Sequence, residues 1–352
     1  MDRRIFLKKA VFLTGSCSAM SYLGCSVPQR QPETFKKVHL IFKTHLDIGF
    51  TDLGSNVINT YFEHFIPSAI SLSEQMRKDT DKDRFVWTTG SWLIYKFLEQ
   101  ASADNQRRME RAIENGDISW HGLPFTTHSE LMDDSLFLLG TRFSAQLDKR
   151  FDRKTIAAKM TDVPGHTRGI IKPMTKAGLR FLHIGVNPAS SPPDVPGLFT
   201  WKDSDDRELI VMYQKTYGSV MTLPGGRAAV SISFTGDNLG PQSPEQIADI
   251  YKGLRKRFPE AKVFASTLNA VAEDIIAQKK HLPVVAQELG DTWIHGAASD
   301  PMRMAHFREL SRLRKEWITA GKINEHGSTD IAFGGKLMMV AEHTWGVDIK
   351  SP

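Results

Sequence analysis

His45 and Asp47 stand two residues apart, directly after an apolar run at residues 38–43. Side chains at positions i and i+2 of an extended chain project to the same side, so both can reach one ion. An imidazole nitrogen together with a carboxylate oxygen suits zinc or another borderline divalent cation. Taken alone, however, this pair describes a polar strand end better than it describes a metal site.

A second cluster of reactive side chains occupies residues 162–168 (DVPGHTR). Asp162 follows a β-rich run, and a Pro-Gly turn separates it from His166 and Arg168, which is typical of a site carried on a loop. The guanidinium of Arg168 can form a bidentate ion pair with a carboxylate, and His166 can form a hydrogen bond with a metal ligand. The alternative is an ordinary strand-to-helix turn with a helix cap.

Both clusters come directly after runs that are typical of strands. Such runs occur at residues 38–43, 85–88, 118–120, 156–160, 181–185, 209–213, 230–234 and 263–265. Helical spacing of apolar residues occupies residues 56–77, 92–100, 105–115, 134–151, 167–177, 243–258 and 301–320. Strands that alternate with helices predict an α/β fold with a parallel sheet or barrel, in which sites lie just after the strand ends.

Residues 1–24 are interpreted as an export signal, with a twin-arginine motif at residues 3–8 (RRIFLK) followed by a short apolar stretch. The alternative is an ordinary basic amphipathic N-terminus. Residues 22–25 (YLGC) resemble a lipoprotein cleavage site, and its use would make Cys25 a lipidated membrane tether. A plain signal-peptidase cut nearby is the alternative. The predicted location is therefore the periplasm or the outer surface of the cell.

The remaining chain has the composition of an ordinary globular protein, with 41% hydrophobic and 24% charged residues overall. Residues 25–37 are a predicted linker, and residues 38–352 a predicted α/β domain. Loss of the signal lowers the formal net charge of +5 by three, which leaves no argument for a nucleic-acid partner. Cys17 and Cys25 are the only cysteines, so the domain holds no internal disulfide and its stability depends on its core.

The ordered set of motifs resembles family 38 glycoside hydrolases, the α-mannosidases. Residues 43–50 (KTHLDIGF) resemble that family's His-x-Asp-x-Gly-Trp segment, and residues 160–167 (MTDVPGHT) resemble its Ile-Asp-Pro-Phe-Gly-His-Ser segment. Residues 295–301 (HGAASDP) resemble its Gly-x-x-Thr-Ser-Arg-Pro stretch, and residues 342–346 (EHTWG) stand where it has its last metal-binding histidine. The similarity runs through residues 38–348.

This resemblance implies one zinc ion bound by His45, Asp47, Asp162 and His343. It also implies that Asp162 is the nucleophile of a retaining glycosidase that cleaves glycans, with zinc binding sugar hydroxyls and helping to distort the ring. The implied fold is an irregular seven-stranded, barrel-like parallel (β/α) sheet followed by a helical segment. The family continues into a helical bundle and β-sandwich domains, so a divergent stand-alone catalytic domain or a truncated product is expected.

The family's catalytic acid comes from a Gly-Asp-Asp-Phe-like segment, and its counterpart is residues 236–239 (GDNL). Asp237 is the candidate acid/base, because the amide of Asn238 cannot exchange the proton that the cycle requires. Phe50 stands where the family has the tryptophan under the sugar ring, and keeps an apolar stacking face. The other predicted substrate-binding residues are His166, Arg168 and His295.

Two other functions are compatible with the same residues. A metal-dependent carbohydrate deacetylase would use the ion to activate water and would not use Asp162 as a covalent nucleophile. A non-catalytic glycan-binding lipoprotein would need no acid at all. The sequence therefore favours a zinc-dependent, α-mannosidase-like hydrolase and leaves these two alternatives open.

Overall fold

A computed structural model describes residues 35–78, 83–290, 293 and 295–345. The predicted export signal, Cys25 and all but the end of the predicted linker lie outside the described residues. Among the described helices, none combines the length and the apolar character needed to cross a membrane.

The described chain alternates strands and helices along most of its length, as the sequence predicts. The strands are β1 (Lys37–His45), β2 (Trp87–Gly90), β3 (Ile118–His121), β4 (Ala157–Asp162), β5 (Phe181–Val186), β6 (Leu198–Lys202), β7 (Glu208–Gln214), β8 (Val220–Thr222), β9 (Ala228–Asp237), β10 (Lys262–Ala265) and β11 (Val284–Val285). The helices are α1 (Gly54–Thr60), α2 (Ile66–Lys78), α3 (Ser91–Gln100), α4 (Ala103–Glu114), α5 (Asp134–Phe151), α6 (Ile171–Lys176), α7 (Pro244–Arg257), α8 (Leu268–Ile276), α9 (His295–Ala298), α10 (Pro301–Thr319) and α11 (Ser328–Val340).

Local sequence signals explain several of these boundaries. The helix predicted from residue 56 is divided into α1 and α2 by a π-helical turn at Tyr61–Phe65, just before Pro67, which lacks the N–H that a regular helix would use. Ser243 and Gln246 form a capping box at the start of α7, and proline occupies the first helical position. These features were visible in the sequence as a proline inside helical spacing and a Ser-Pro-Glu start.

The strands form two sheets. The first has the order β3-β2-β1-β9-β8, and β10 also pairs with the beginning of β1. The second has the order β11-β6-β7-β5-β4. Most neighbours are parallel, while β6–β7 and β8–β9 are antiparallel. Because parallel strands share a direction, the carboxyl ends of β1, β2, β3 and β9 meet at one edge of the first sheet. The carboxyl ends of β4 and β5 likewise meet at one edge of the second sheet.

The α/β class with parallel strands is confirmed, whereas the single seven-stranded barrel-like sheet is corrected to two sheets with antiparallel pairs at β6–β7 and β8–β9. Where β3 approaches β4, the described backbone makes the hydrogen bond from Gly122 N to Ala157 O (2.9 Å) but no ladder. The short β3 ends one residue before Gly122, so few backbone groups are left to continue the pairing. Nothing in the sequence predicts this interruption, because the apolar runs do not reveal which strands pair.

One buried apolar cluster contains residues of both sheets. Its members show which faces of the strands point into the interior. Ile41 of β1, Ala157 of β4 and Phe181 of β5 pack in this cluster. Residues two positions further along a strand share the same face. Lys43 and Lys159 therefore continue that inner face towards the carboxyl ends of β1 and β4, and both are buried. Along β1 and β4, the inward-facing side chains therefore change from apolar to basic towards the carboxyl end.

The helices after the second sheet are held by a buried ion pair between α10 and α11. Arg314 and Asp330 are both fully buried, with Nε–Oδ1 at 2.6 Å and Nη2–Oδ2 at 2.9 Å. Ser135 Oγ accepts from Arg314 Nη1 (3.1 Å), and the His326 backbone N–H donates to Asp330 Oδ2 (2.8 Å). This network connects α5, α10 and α11, and so supports the segment that leads to His343.

We expect Arg314→Met to lower the free energy of unfolding by about 3–5 kcal/mol, because it leaves the carboxylate of Asp330 buried without its partner. Chemical denaturation followed by circular dichroism measures the change. Arg312→Met is the matched control on the same helix, since Arg312 pairs with Glu309 and Glu316 at the surface. An equal loss in both variants would contradict a special role for the buried pair.

Candidate metal centre

Strand ends and a helix end bring four candidate ligands together. His45 is the last residue of β1, Asp47 lies two residues further on, and Asp162 is the last residue of β4. His343 comes from the other end of the chain, just after α11. One ligand atom from each residue lies within 4.8 Å of the other three, and all four residues are buried.

The four side chains surround a common centre. Nε2 of His45 lies 3.1 Å from Asp47 Oδ1, and Nε2 of His343 lies 3.0 Å from the same oxygen. His343 Nε2 is also 3.4 Å from Asp162 Oδ2. Two imidazole nitrogens and two carboxylate oxygens form a donor set that suits zinc and similar divalent cations.

Unsatisfied atoms in this cluster indicate that the residues fit a bound cation. His45 Nε2, Asp47 Oδ2 and His343 Nε2 are buried without a hydrogen bond. Buried polar side-chain atoms in folded proteins are nearly always bonded to protein or water. Three unsatisfied atoms around one centre are expected where a metal, rather than a proton, joins the side chains.

Electrostatics keeps the two carboxylates charged. Burial raises the pKa of Asp47, but the imidazoles of His45 and His343 outweigh burial and hold that pKa well below its ordinary range. Burial likewise opposes the ionisation of Asp162, yet its net pKa is lowered by His343, His45 and the hydroxyl of Tyr217. Ionised carboxylates are the form that binds a metal.

His343 is oriented by its sequence neighbours. Its Nδ1 faces Glu342 Oε1 at 2.6 Å, the carboxylate–imidazole arrangement that commonly directs a metal-binding histidine. The carbonyl of His343 accepts a hydrogen bond from His128 Nε2 (3.2 Å). Thr344 Oγ1 donates to Asp47 Oδ1 (3.3 Å), which connects the end of the described chain to the segment after β1.

The two oxygens of Asp162 have different surroundings. Oδ2 faces His343, whereas Oδ1 accepts hydrogen bonds from Tyr217 OH (2.5 Å) and Asn187 Nδ2 (3.0 Å). The backbone of Asp162 has a φ of 86°, a strained value for a residue with a side chain. These contacts hold one carboxylate oxygen toward the metal ligands and fix the position of the other.

Sequence reasoning missed both partners of Asp162. Asn187 directly follows β5, so the same strand-end signal that pointed to Asp162 could have found it. Tyr217 lies between β7 and β8 in a loop whose sequence offered no comparable signal.

Asp237 and Asn238 have different positions despite being adjacent. Asp237 ends β9 in register with His45, and burial together with Asp47 and Asp162 raises its pKa although His45 opposes the shift. The side chain of Asn238 accepts from Asp47 N (2.9 Å) and donates to Asp47 O (3.0 Å) and Thr51 Oγ1 (2.9 Å). Asn238 thus holds the ligand-bearing loop, while Asp237 is a carboxyl group with a raised pKa.

A cleft with a cavity volume of about 250 Å³ opens over the ligands. It combines polar groups with aromatic faces. Its lining includes Asp47, Asp162, Asp237, His343, Phe50, Trp293 and Trp345. Phe50 is held at a φ of 63°, and its side chain is 36% exposed, which leaves ring surface available at the cleft. Trp345 was part of a quoted motif but was not itself predicted as a site residue.

The other predicted substrate-binding residues occupy different positions. His166 is fully buried, with Nδ1 3.1 Å from Ser129 Oγ, and it does not line the cleft. Arg168 begins a 3₁₀ turn, donates its backbone N–H to Glu288 Oε2 (2.6 Å), and is likewise not among the lining residues. His295 begins α9, but its side chain lies outside the described part of the chain.

Comparison with protein families gives one partial match. Residues 297–351 match the model of a family described as a domain of unknown function, DUF5054. This segment contains α10, α11 and His343. No curated protein matches the chain.

Comparison with solved structures relates the fold to glycoside hydrolases. An α-mannosidase from Enterococcus faecalis V583 aligns over 72% of this chain with a TM-score of 0.57 and 12% identity. A protein in glycosyl hydrolase family 38 from Enterococcus faecalis aligns over 72% with a TM-score of 0.51 and 10% identity. The chain spans 31% and 29% of the length of these two proteins. It therefore has a glycoside hydrolase-like fold, with a buried His/Asp cluster that can bind a metal ion.

The buried histidine next to this site makes stability depend on pH. Burial, assisted by repulsion from His128 and His343, lowers the pKa of His166 from 6.5 to about 3. The unfolded chain therefore binds a proton between pH 6.5 and 3 that the folded chain does not, and stability is lost as the pH falls through this range. In metal-free protein, His166 contributes a loss of about 1.4 kcal/mol between pH 7.5 and 5.5.

We expect His166→Gln to reduce the difference between the unfolding free energies at the two pH values by that amount. Urea denaturation in the presence of a chelator measures it. His64→Gln changes an exposed histidine and should retain the full wild-type difference. If His166→Gln shows the same difference between the two pH values as the wild type, the pH dependence does not come from His166.

Proposed function

We propose that the protein is a zinc-dependent, retaining glycoside hydrolase that acts on α-mannosides or related glycans outside the cytoplasm. The observation that carries this proposal is the placement of Asp162. It belongs to the candidate metal cluster and lines the same cleft as a second carboxyl group, Asp237. A retaining glycosidase requires two carboxyl groups that act at one glycosidic bond.

Four residues would hold the metal: His45, Asp47, Asp162 and His343. When bound, zinc supplies an electrophilic centre for sugar hydroxyls and for the distortion of the ring. The aromatic faces of Phe50, Trp293 and Trp345 suit the apolar face of a sugar, and support a glycan as the occupant of the cleft.

Asp162 is suited to nucleophilic attack because it is ionised and its Oδ1 points away from the ligand cluster. In the proposed first step, this carboxylate bonds to the anomeric carbon as the glycosidic C–O bond breaks and its electron pair passes to the leaving oxygen. Tyr217 and Asn187 position the attacking oxygen through their hydrogen bonds. Both bonds weaken the nucleophile slightly but fix its direction of attack.

Asp237 is suited to the complementary role. Its raised pKa favours the acid form, which donates a proton to the leaving oxygen. The resulting carboxylate then removes a proton from water, and the water oxygen displaces Asp162 from the anomeric carbon. Asn238 cannot replace it, because its amide is already bonded to the loop at residues 47–51.

Export is a separate part of the proposal and is supported by sequence alone. The twin-arginine motif at residues 3–8 and the lipoprotein-like segment at residues 22–25 indicate a tethered protein outside the cytoplasm. Cell fractionation of the wild type beside Cys25→Ser tests it. We expect the wild type in the membrane fraction and the variant in the soluble exported fraction.

We expect the purified protein to bind one equivalent of zinc, and both His45→Ala and His343→Ala to lose it, because each removes one of four ligands. Elemental analysis after dialysis measures the stoichiometry. His64→Ala alters an exposed histidine away from the cluster and serves as the control. Full zinc content in His343→Ala would remove His343 from the ligand set.

We expect a fluorinated glycosyl substrate to label Asp162, since fluorine slows hydrolysis of the covalent intermediate. Peptide mass spectrometry locates the label, and Asp162→Ala should be unlabelled and inactive. Asp237→Ala should lose about 10²–10⁴-fold in rate on an unactivated glycan but far less on an aryl glycoside whose leaving group needs no proton.

The outcomes distinguish the remaining functions. Turnover of acetylated sugars without any label would favour a deacetylase. Unchanged rates on both substrates in Asp237→Ala would exclude Asp237 as the acid. Binding of glycans by a metal-loaded protein that is inactive on a broad panel of α-glycosides would favour a non-catalytic role.

A further inference from the structure

A small cavity is lined by residues of β1, β2, β3 and β4, among them the candidate metal ligand His45. Its volume is about 30 Å³, and almost all the residues around it are buried. Two lysines, Lys43 and Lys159, line it together with hydroxyl groups and His121. No aspartate or glutamate is among the described residues that line the cavity. It is therefore a cavity of positive character, and none of its lining residues also lines the cleft over the metal ligands.

Among the described residues, Lys159 has no acidic partner. Its side chain is buried, and Nζ donates to Thr161 Oγ1 at 2.6 Å. Lys43 Nζ lies 3.5 Å from the same hydroxyl oxygen, so one small acceptor serves two amino groups. Burial, followed by repulsion from Lys43, lowers the pKa of Lys159 well below its ordinary value. A charged amino group has three donors, so an anion between the two lysines would accept from both and favour their charged forms. Asp237, Asp162 and Asp47 already compensate part of the charge of Lys43.

Other groups around the cavity are also donors. Thr88 Oγ1 is buried and has no hydrogen-bond partner. His121 Nδ1 accepts from the backbone N–H of Leu123 (3.4 Å), so in the neutral ring the proton resides on Nε2. The cavity thus offers hydroxyl, imidazole and amino donors, and an anion is the species that would accept from them together.

We propose that this cavity binds a small monovalent inorganic anion, represented by chloride, between Lys43 and Lys159 with Thr88 as a hydroxyl donor. The volume is enough for one halide or about two waters. A larger anion such as phosphate would not fit without displacing the strands. His45 borders this cavity, whereas the cleft over the other metal ligands shares none of its lining residues, so the anion site and the metal site would be neighbours.

The decisive experiment is diffraction from crystals of the zinc-loaded protein grown in bromide, with data collected at the bromine absorption edge. We expect an anomalous peak inside the cavity, within contact distance of Lys159 Nζ. Ordered waters alone in the cavity, or bromide found only at the metal or at the surface, would overturn the proposal.

Solution measurements then assign the anion to Lys159. Chloride should raise the melting temperature of the wild type saturably above that in gluconate at equal ionic strength, because it binds only the folded state. Lys159→Met should abolish this difference, whereas Lys256→Met, which alters an exposed lysine of α7, should preserve it. A chloride effect retained in full by Lys159→Met overturns the assignment, and if that variant does not fold, the bromide experiment alone decides.

Discussion

The structure depends on the burial of ionised carboxylates at the ends of β1 and β4. The pKa values of Asp47 and Asp162 stay low despite burial because His45 and His343, with Tyr217 at Asp162, compensate for the loss of water. This requirement explains why two sheets, a loop held by Asn238 and the segment after α11 all converge on a few ångströms. Ile41, Ala157 and Phe181 pack between the sheets, and the carboxylates lie beyond them at the strand ends.

Sequence patterns predicted the parts of this arrangement that depend on local order. Apolar runs identified the strands, and polar residues just after them identified His45, Asp47 and Asp162 as candidates, since parallel strands direct their carboxyl ends to a common edge. The resemblance to family 38 enzymes added His343, which no local pattern connects with the others. The structure then brought all four together, although their shared position depends on pairing across most of the chain.

The rest was beyond sequence reasoning for identifiable physical reasons. The division into two sheets depends on backbone pairing near Gly122 and Ala157, which apolar periodicity does not encode. Tyr217 belongs to a loop, and its bond to Asp162 arises only from the three-dimensional path between β7 and β8. His166 and Arg168 follow Asp162 by only four and six residues, yet neither lines the cleft, and their spacing in sequence does not reveal this.

The contribution of His343 also determines when the site can exist during synthesis. Its partner His45 is among the first described residues, so the centre cannot be completed until the segment after α11 has been synthesised. A ligand that binds only the assembled site stabilises the folded chain through mass action. Metal content would therefore distinguish folded molecules that contain both histidines from chains interrupted before His343. A bound ion would thus report that two segments far apart in the sequence have come together.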